Sequence, residues 1–229
     1  MQEKQNIGSL FDRIAGTYDR LNHWLSLNED RRWRKVAVKG MQPASHVLDV
    51  AIGTADLTLE LLLRQKATHV TGIDLSREMM AVGKDKVLNK GWKEQVTFMY
   101  ASALDMPFAS DAFDAVTCSY GVRNFSDLDK GLNEMFRVLR PEGELMILEF
   151  SYPSNRLIAW GYDLYFSHVL PWLGRLFSHD KTAYTYLNRS VKHFIWGEEM
   201  CQHLRAIGFR KVRCQTLSLG ITTIYRAIK

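Results

Sequence analysis

Apolar residues recur along this chain in two rhythms, and the rhythm changes near residue 43. Before it the period is helical. Ile7, Leu10, Phe11, Ile14, Ala15 and Tyr18 fall at spacings that gather them on one face of a helix. A second amphipathic stretch, from about Trp24 to Val38, is dense in Arg31, Arg32, Arg34 and Lys35, and Pro43 breaks it.

From His46 onward short apolar runs alternate with helical stretches. Residues 46–51, 69–74, 95–100, 113–120 and 144–150 read as strands. Helices are expected over Asp56–Arg64, from a Ser76 cap to about Leu88, and over Asp127–Leu139. Such alternation implies an α/β fold with a mostly parallel sheet and helices on both faces. The last two apolar runs, on either side of Gly220, read as an antiparallel hairpin that brings the sheet to seven strands. We divide the single domain into an N-terminal helical cap (1–45), a core (46–151), an aromatic helical insertion (152–196) and a C-terminal helix and hairpin (197–229).

The insertion holds 11 of the chain's 26 aromatic residues, so it reads either as an aromatic-cored helical subdomain or as a wall over an apolar substrate. Residues 157–177 reach transmembrane length, but Asp163, His168 and Arg175 lie inside them, and a charge near mid-span costs about 2.5–3.5 kcal/mol. No membrane span is expected. The net charge of +5 is too small to argue for nucleic acid, and it is unevenly spread. The core is net −5, whereas the cap is +3 and residues 152–229 are +7. Basic, aromatic flanks suit peripheral docking on an anionic membrane. Cys118, Cys201 and Cys214 show neither disulfide-framework nor metal-ligand spacing, which fits a cytoplasmic setting and no metal.

Ligands of open α/β sheets bind beyond the carboxyl ends of the strands. The loop after the first strand runs Asp49-Val50-Ala51-Ile52-Gly53-Thr54-Ala55-Asp56. A dinucleotide site wants three glycines here to seat a pyrophosphate; this loop has one, and Asp49 would repel a diphosphate. An acidic loop suits a ligand bearing an amine or a sulfonium. Asp74, ending the second strand, can accept both hydroxyls of a ribose, which does not by itself separate NAD from S-adenosylmethionine. Leu75 is placed to lie on an adenine face, and Ala101-Ser102-Ala103 with Asp105 to meet its edge. Together these features favour S-adenosylmethionine.

VLDVAIGTAD, the acid of GIDLS, the SALDMPF–FDAV pair and RPEGELMILEF resemble a class I S-adenosylmethionine-dependent methyltransferase with its Rossmann-like sheet. FDRIAGTYDRLNHWLSLNEDRRWRK and RVLRPEGELMILEFSYP further resemble the two signatures of the demethylmenaquinone and ubiquinone-biosynthesis C-methyltransferases. The likeness covers nearly the whole chain. Asn28 and Asp30 stand where that family often has Gly and His, and Glu142 replaces the first Gly of a Pro-Gly-Gly. The resemblance implies cofactor contacts by Thr54, Asp74, Ser102, Ala103 and Ser119, beside Asp49, Gly53 and Leu75 from the loop reading. It implies a polyprenylated quinol as substrate. GTAD rather than GTGD points to the menaquinone branch, with methylation of a polyprenyl-methoxy-benzoquinol as the alternative.

Ring C-methylation needs a phenolate and an acceptor for the ring proton. Arg123, after the fourth strand, is expected to stabilise the developing oxyanion, or else to make a surface ion pair with Asp127 or Asp129; Asn124 would orient the ring oxygen. Tyr18 would meet the substrate or the sulfonium, or else pack in the core. His168 and His193 titrate in the useful range, but neither is assigned as the base. Adenine methylation would want an Asp/Asn/Ser-Pro-Pro-Tyr/Trp loop where this chain has SYGVRN, and Cys118 lacks the preceding Pro of a cytosine C5 methyltransferase. Sterol or other small-molecule methylation, a nicotinamide oxidoreductase and a non-catalytic cofactor binder remain as alternatives. Homo-oligomerisation is left open.

Overall fold

The computed structural model describes residues 7–165 and 189–229. Helix α1 spans Ile7–Leu25, well past the expected end at Tyr18, because Leu21 and Leu25 continue its apolar face. The chain then turns through Leu27 and Asn28, both at positive φ, and α2 begins only at Glu29, ending at Lys39. Asn tolerates the left-handed conformation better than most residues, which explains how it stands in for glycine. Glu142, the other such departure, also lies at positive φ (61°).

The sheet contains β1 (Ala44–Val50), β2 (Ala67–Asp74), β3 (Val96–Tyr100), β4 (Phe113–Ser119), β5 (Leu139–Phe150), β6 (Arg210–Leu217) and β7 (Thr222–Ile228). Their order is β3-β2-β1-β4-β5-β7-β6. The first five are parallel, and β7 runs antiparallel between β5 and β6. Strand order reverses between β1 and β4, so the crevice beyond their carboxyl ends is where a ligand is expected.

Helices α3 (Asp56–Leu63), α4 (Arg77–Asn89) and α2 cover one face of the sheet; their Leu57, Leu61, Met80, Val87, Trp33 and Val38 pack on Val47, Val70 and Met146. Helices α5 (Leu128–Val138) and α7 (Glu198–Ile207) cover the other, where Leu132, Met135, Met200 and Leu204 meet Val116, Leu145, Ile147 and Tyr225. Helix α6 (Arg156–Leu164) lies within the expected insertion. Among the described residues no helix is long and apolar enough to cross a membrane.

Candidate active site

At the switch point, β1 ends in Asp49-Val50 and the chain turns through Ala51 (φ 57°), Gly53 (φ 53°) and Ala55 (φ 64°) into α3. This turn lays its backbone against the end of β2, where Asp74 Oδ2 accepts from Gly53 N at 2.8 Å and Oδ1 accepts from Ser76 N at 2.8 Å. Ser76 caps α4, accepting from Met79 N as expected. Asp49 is buried, its two oxygens accepting from the hydroxyls of Thr58 (2.6 Å) and Thr117 (2.9 Å). Burial lifts its carboxyl from 3.8 to about 6, against the pull of those two hydrogen bonds. Burial also raises Asp74, although backbone donors from Ser76 and Gly53 oppose it.

One cavity opens over these loops. Asp49, Gly53, Thr54, Asp74, Leu75, Ser102, Ala103 and Ser119 all line it, as do Asn124 and Tyr18. The eight residues expected at the cofactor thus converge, although they come from the ends of four strands. The hydroxyl of Ser119 is buried and has no hydrogen-bond partner among the described residues, as suits a wall that meets a polar ligand. Acidic side chains, a small Ser102-Ala103 edge and a half-exposed Leu75 fit a ligand with a cationic amino-acid portion, a ribose and an adenine. Asp105 pairs by its backbone with Ser102, and it does not line the cavity.

A second cavity, about 600 Å³, lies beside the first and is far more apolar. Leu10, Ile14, Leu21 and Leu25 from α1, Ile158 and Tyr162 from α6, and Trp33 and Phe150 form its walls. Phe11, Tyr18, Asn22, Arg34 and Tyr120 line both cavities, so the two meet along them. Tyr18 therefore sits at the junction. Burial raises its pKa while nearby Arg123 works the other way, so the phenol stays protonated at neutral pH.

Arg123 lines the apolar cavity, not the polar one. Its guanidinium is paired, but not with the surface aspartates. Asp127 caps α5 and Asp129 contacts His203, while Arg123 Nη1 donates to buried Glu149 Oε1 at 2.6 Å and to the Tyr120 carbonyl at 2.5 Å. The guanidinium also lies 5.2 Å from the centre of the Phe150 ring. Glu149 is the residue the sequence reading passed over: within ELMILEF it looks like one acid in a strand, and only the fold buries it against a group 26 positions away. Asn124 reaches the Tyr120 carbonyl with its amide at 3.4 Å. His193 holds the Arg189 carbonyl and lines neither cavity; His168 lies outside the described residues. Cys118 is buried and its thiol is pushed well above the ordinary value, first by burial, which leaves it unsuited to nucleophilic attack.

Asp30, standing where histidine is often found, is a buried hub. It accepts from Ser26 Oγ (2.7 Å) and Arg34 Nη2 (2.6 Å), and His23 Nδ1 lies 2.8 Å away. His23, Asp30 and Asp56 bring three ligand-type atoms within 4.8 Å of one another. Arg34, bonded to both carboxylates at 2.6 Å, supplies the positive charge at that cluster.

Five parallel strands extended by an antiparallel hairpin, with an acidic, single-glycine loop after β1 and an acid ending β2, define a class I S-adenosylmethionine-dependent methyltransferase. A SAM-dependent methyltransferase from Thermotoga maritima shares the fold with a TM-score of 0.68, at 18% identity over 97% of this chain and 99% of that one. More specifically, the chain belongs to the ubiE/COQ5 methyltransferase family, whose profile matches residues 1–229. A demethylmenaquinone methyltransferase of Porphyromonas gingivalis is 44% identical over 99% of this chain and 94% of its own length. A ubiquinone/menaquinone biosynthesis C-methyltransferase UbiE of Geotalea daltonii is 41% identical over 100% of this chain and 98% of its own.

Proposed function

We propose that this enzyme methylates a ring carbon of demethylmenaquinol to give menaquinol. The observation that carries the reading is the meeting of a polar, acidic cavity and an apolar cavity of about 600 Å³ along Tyr18, Asn22, Arg34 and Tyr120. A reaction between a nucleoside sulfonium and a hydroquinone bearing a long hydrocarbon tail needs such a pair. When bound, S-adenosylmethionine supplies an electrophilic methyl group. The chain's own residues do the rest. Asp49, Gly53, Thr54, Asp74, Leu75, Ser102, Ala103 and Ser119 hold and orient the cofactor, and no metal is required.

The quinol head sits at the junction, where the protonated Tyr18 phenol and the Asn124 amide orient its oxygens. Arg123 faces the head from the apolar side, with Glu149 fixing its guanidinium, and favours the phenolate that makes the ring carbon nucleophilic. The tail follows Ile14, Leu21 and Leu25 outward. Alignment at near-attack distance accounts for most of the rate.

Peripheral contact with the cytoplasmic face of a membrane belongs to the same reading. Leu27 and Leu219 line the apolar cavity yet are 80% and 73% exposed, so they form its rim. Leu157 and Trp160 of α6 are also exposed close to this wall. Flotation with anionic liposomes tests this contact, and failure to float even at low salt would remove it.

The chemistry is tested by incubating the protein with S-adenosylmethionine and demethylmenaquinol and following methyl transfer by mass. A second reading, methylation of a polyprenyl-methoxy-benzoquinol, is favoured by the Geotalea daltonii relative, whose name covers both quinones. The GTAD loop and the Porphyromonas gingivalis relative favour the menaquinone branch.

A further inference from the structure

Helix α1 presents two faces to the two cavities. Its apolar face lines the larger one. Its other side touches the cofactor loops at three places, four and seven residues apart. A Cβ on Gly8 would lie 2.8 Å from the Leu75 carbonyl oxygen, so the helix rests directly on that loop. Asp12 accepts from Ser76 Oγ at 2.6 Å and from Glu78 N at 3.2 Å. Asp19 accepts from Thr54 Oγ1 at 2.5 Å and pairs with Lys86 Nζ at 2.5 Å.

The third contact continues inward. Lys86 Nζ also holds Asp56 Oδ1 at 2.5 Å, Asp56 Oδ2 takes Arg34 Nη2 at 2.6 Å, and Arg34 reaches Asp30. One chain of charges thus ties α1, α4, the first residue of α3 and α2 together. Although burial works against it, the Asp56 carboxyl is held below its usual range by Arg34 and Lys86. Asp19 follows Tyr18 directly, and Arg34 and Tyr18 both line the two cavities.

We propose that Asp19 is a positioning residue that couples cofactor binding to acceptor binding. Its carboxylate, held in place by the ion pair with Lys86, reads the Thr54 hydroxyl on the cofactor side. It thereby sets Tyr18 and Asn22, one turn apart on α1, at the wall of the acceptor cavity. A cofactor that orders the Thr54 loop strengthens the Asp19 contact, holds α1 down and forms that wall; an acceptor packed against α1 does the same in reverse. Linkage requires the coupling to be equal in both directions. The inference rests on the proposed bisubstrate reading, since it needs both cavities to be occupied in one reaction.

The test is a pair of calorimetric titrations of the full chain with a short-tailed demethylnaphthoquinone, with and without saturating S-adenosylhomocysteine. The wild type is expected to bind the acceptor about fivefold more tightly when the cofactor product is present. Asp19→Asn keeps an acceptor for Thr54 but loses the charge that Lys86 holds, and should bring the ratio close to one with an unchanged Tm. Lys86→Gln removes the same ion pair from the other side, together with the Lys86–Asp56 pair, and should act alike. A wild-type ratio of one, or a full ratio in either folded variant, overturns the proposal. If the wild type binds neither ligand, the bisubstrate reading falls and takes the coupling with it.

Discussion

Arg123 and Glu149 form a buried ion pair, with Nη1 2.6 Å from Oε1, at the base of the apolar cavity. Glu149 is wholly buried and also accepts from the backbone N–H groups of Arg123 (3.2 Å) and Phe150 (2.9 Å). The pair has no net charge, so in the proposed reaction Arg123 would favour a phenolate by the nearness and direction of its N–H groups more than by a bare positive field.

That geometry changes how Arg123 must be tested. Arg123→Ala should lose most turnover, but it also strands a buried carboxylate, at a cost of about 3–5 kcal/mol in stability. Replacing both partners, as Arg123→Met with Glu149→Gln, removes the stranded charge. The double variant should recover most of the lost Tm and still bind S-adenosylhomocysteine, while turnover stays low. Recovery of turnover together with stability would show that the pair serves the fold alone.

Asp49 gives a pH signature. Its carboxyl is raised to about 6 in the folded protein, from 3.8, because it is buried. A raised acid stabilises the fold in its protonated form; that contribution is present below 3.8 and is lost as pH rises through 6. The ammonium group of S-adenosylhomocysteine has the opposite preference, for the ionised form, so a ligand that places this ammonium near Asp49 expels the proton. Affinity for S-adenosylhomocysteine should therefore rise about tenfold between pH 5 and pH 7. Asp49→Asn should flatten the profile, measured by titration calorimetry. A wild-type affinity indifferent to pH over this range would contradict the assignment.

The strands were legible in the chain because buried parallel strands are short apolar runs with sharp ends, and 69–74 or 113–120 have little else to be. The convergence of the expected cofactor residues on one cavity was legible because their spacing is local: Asp49, Gly53 and Thr54 sit within six residues, and Asp74 ends the next strand. Helix boundaries in the cap were less so. Leu27 and Asn28 carry the turn between α1 and α2, and only their positive φ separates what reads as one continuous amphipathic stretch from Trp24. The first half of β5, from Leu139, was hidden by Pro141 and by a register irregularity opposite Phe113 and Ala115. The partner of Arg123 was not legible at all, because Asp127 and Asp129 are nearer in sequence while Glu149 is nearer in space. Nor was the Asp19–Lys86–Asp56–Arg34 chain, which draws on four separate elements.

The tail-binding role proposed for the apolar cavity can be separated from its part in the fold. Gly161 lies in α6 and lines the cavity, and an added Cβ there meets nothing within 4 Å. Gly161→Leu should fill tail space without a clash, and leucine favours the helix by roughly 0.8 kcal/mol. KM for a long-tailed demethylmenaquinol should rise about tenfold, with kcat/KM for a short-tailed analogue nearly unchanged. An equal loss for both substrates would place the tail elsewhere.

The most direct test of the function is a single incubation. Purified protein, S-adenosylmethionine and reduced demethylmenaquinone are combined, with a polyprenyl-methoxy-benzoquinol in a parallel tube, and both quinols are analysed by mass spectrometry. A gain of one methyl group on demethylmenaquinol, much faster than on the benzoquinol, is the predicted result. An unchanged demethylmenaquinol mass, from protein shown to bind S-adenosylhomocysteine, would contradict it.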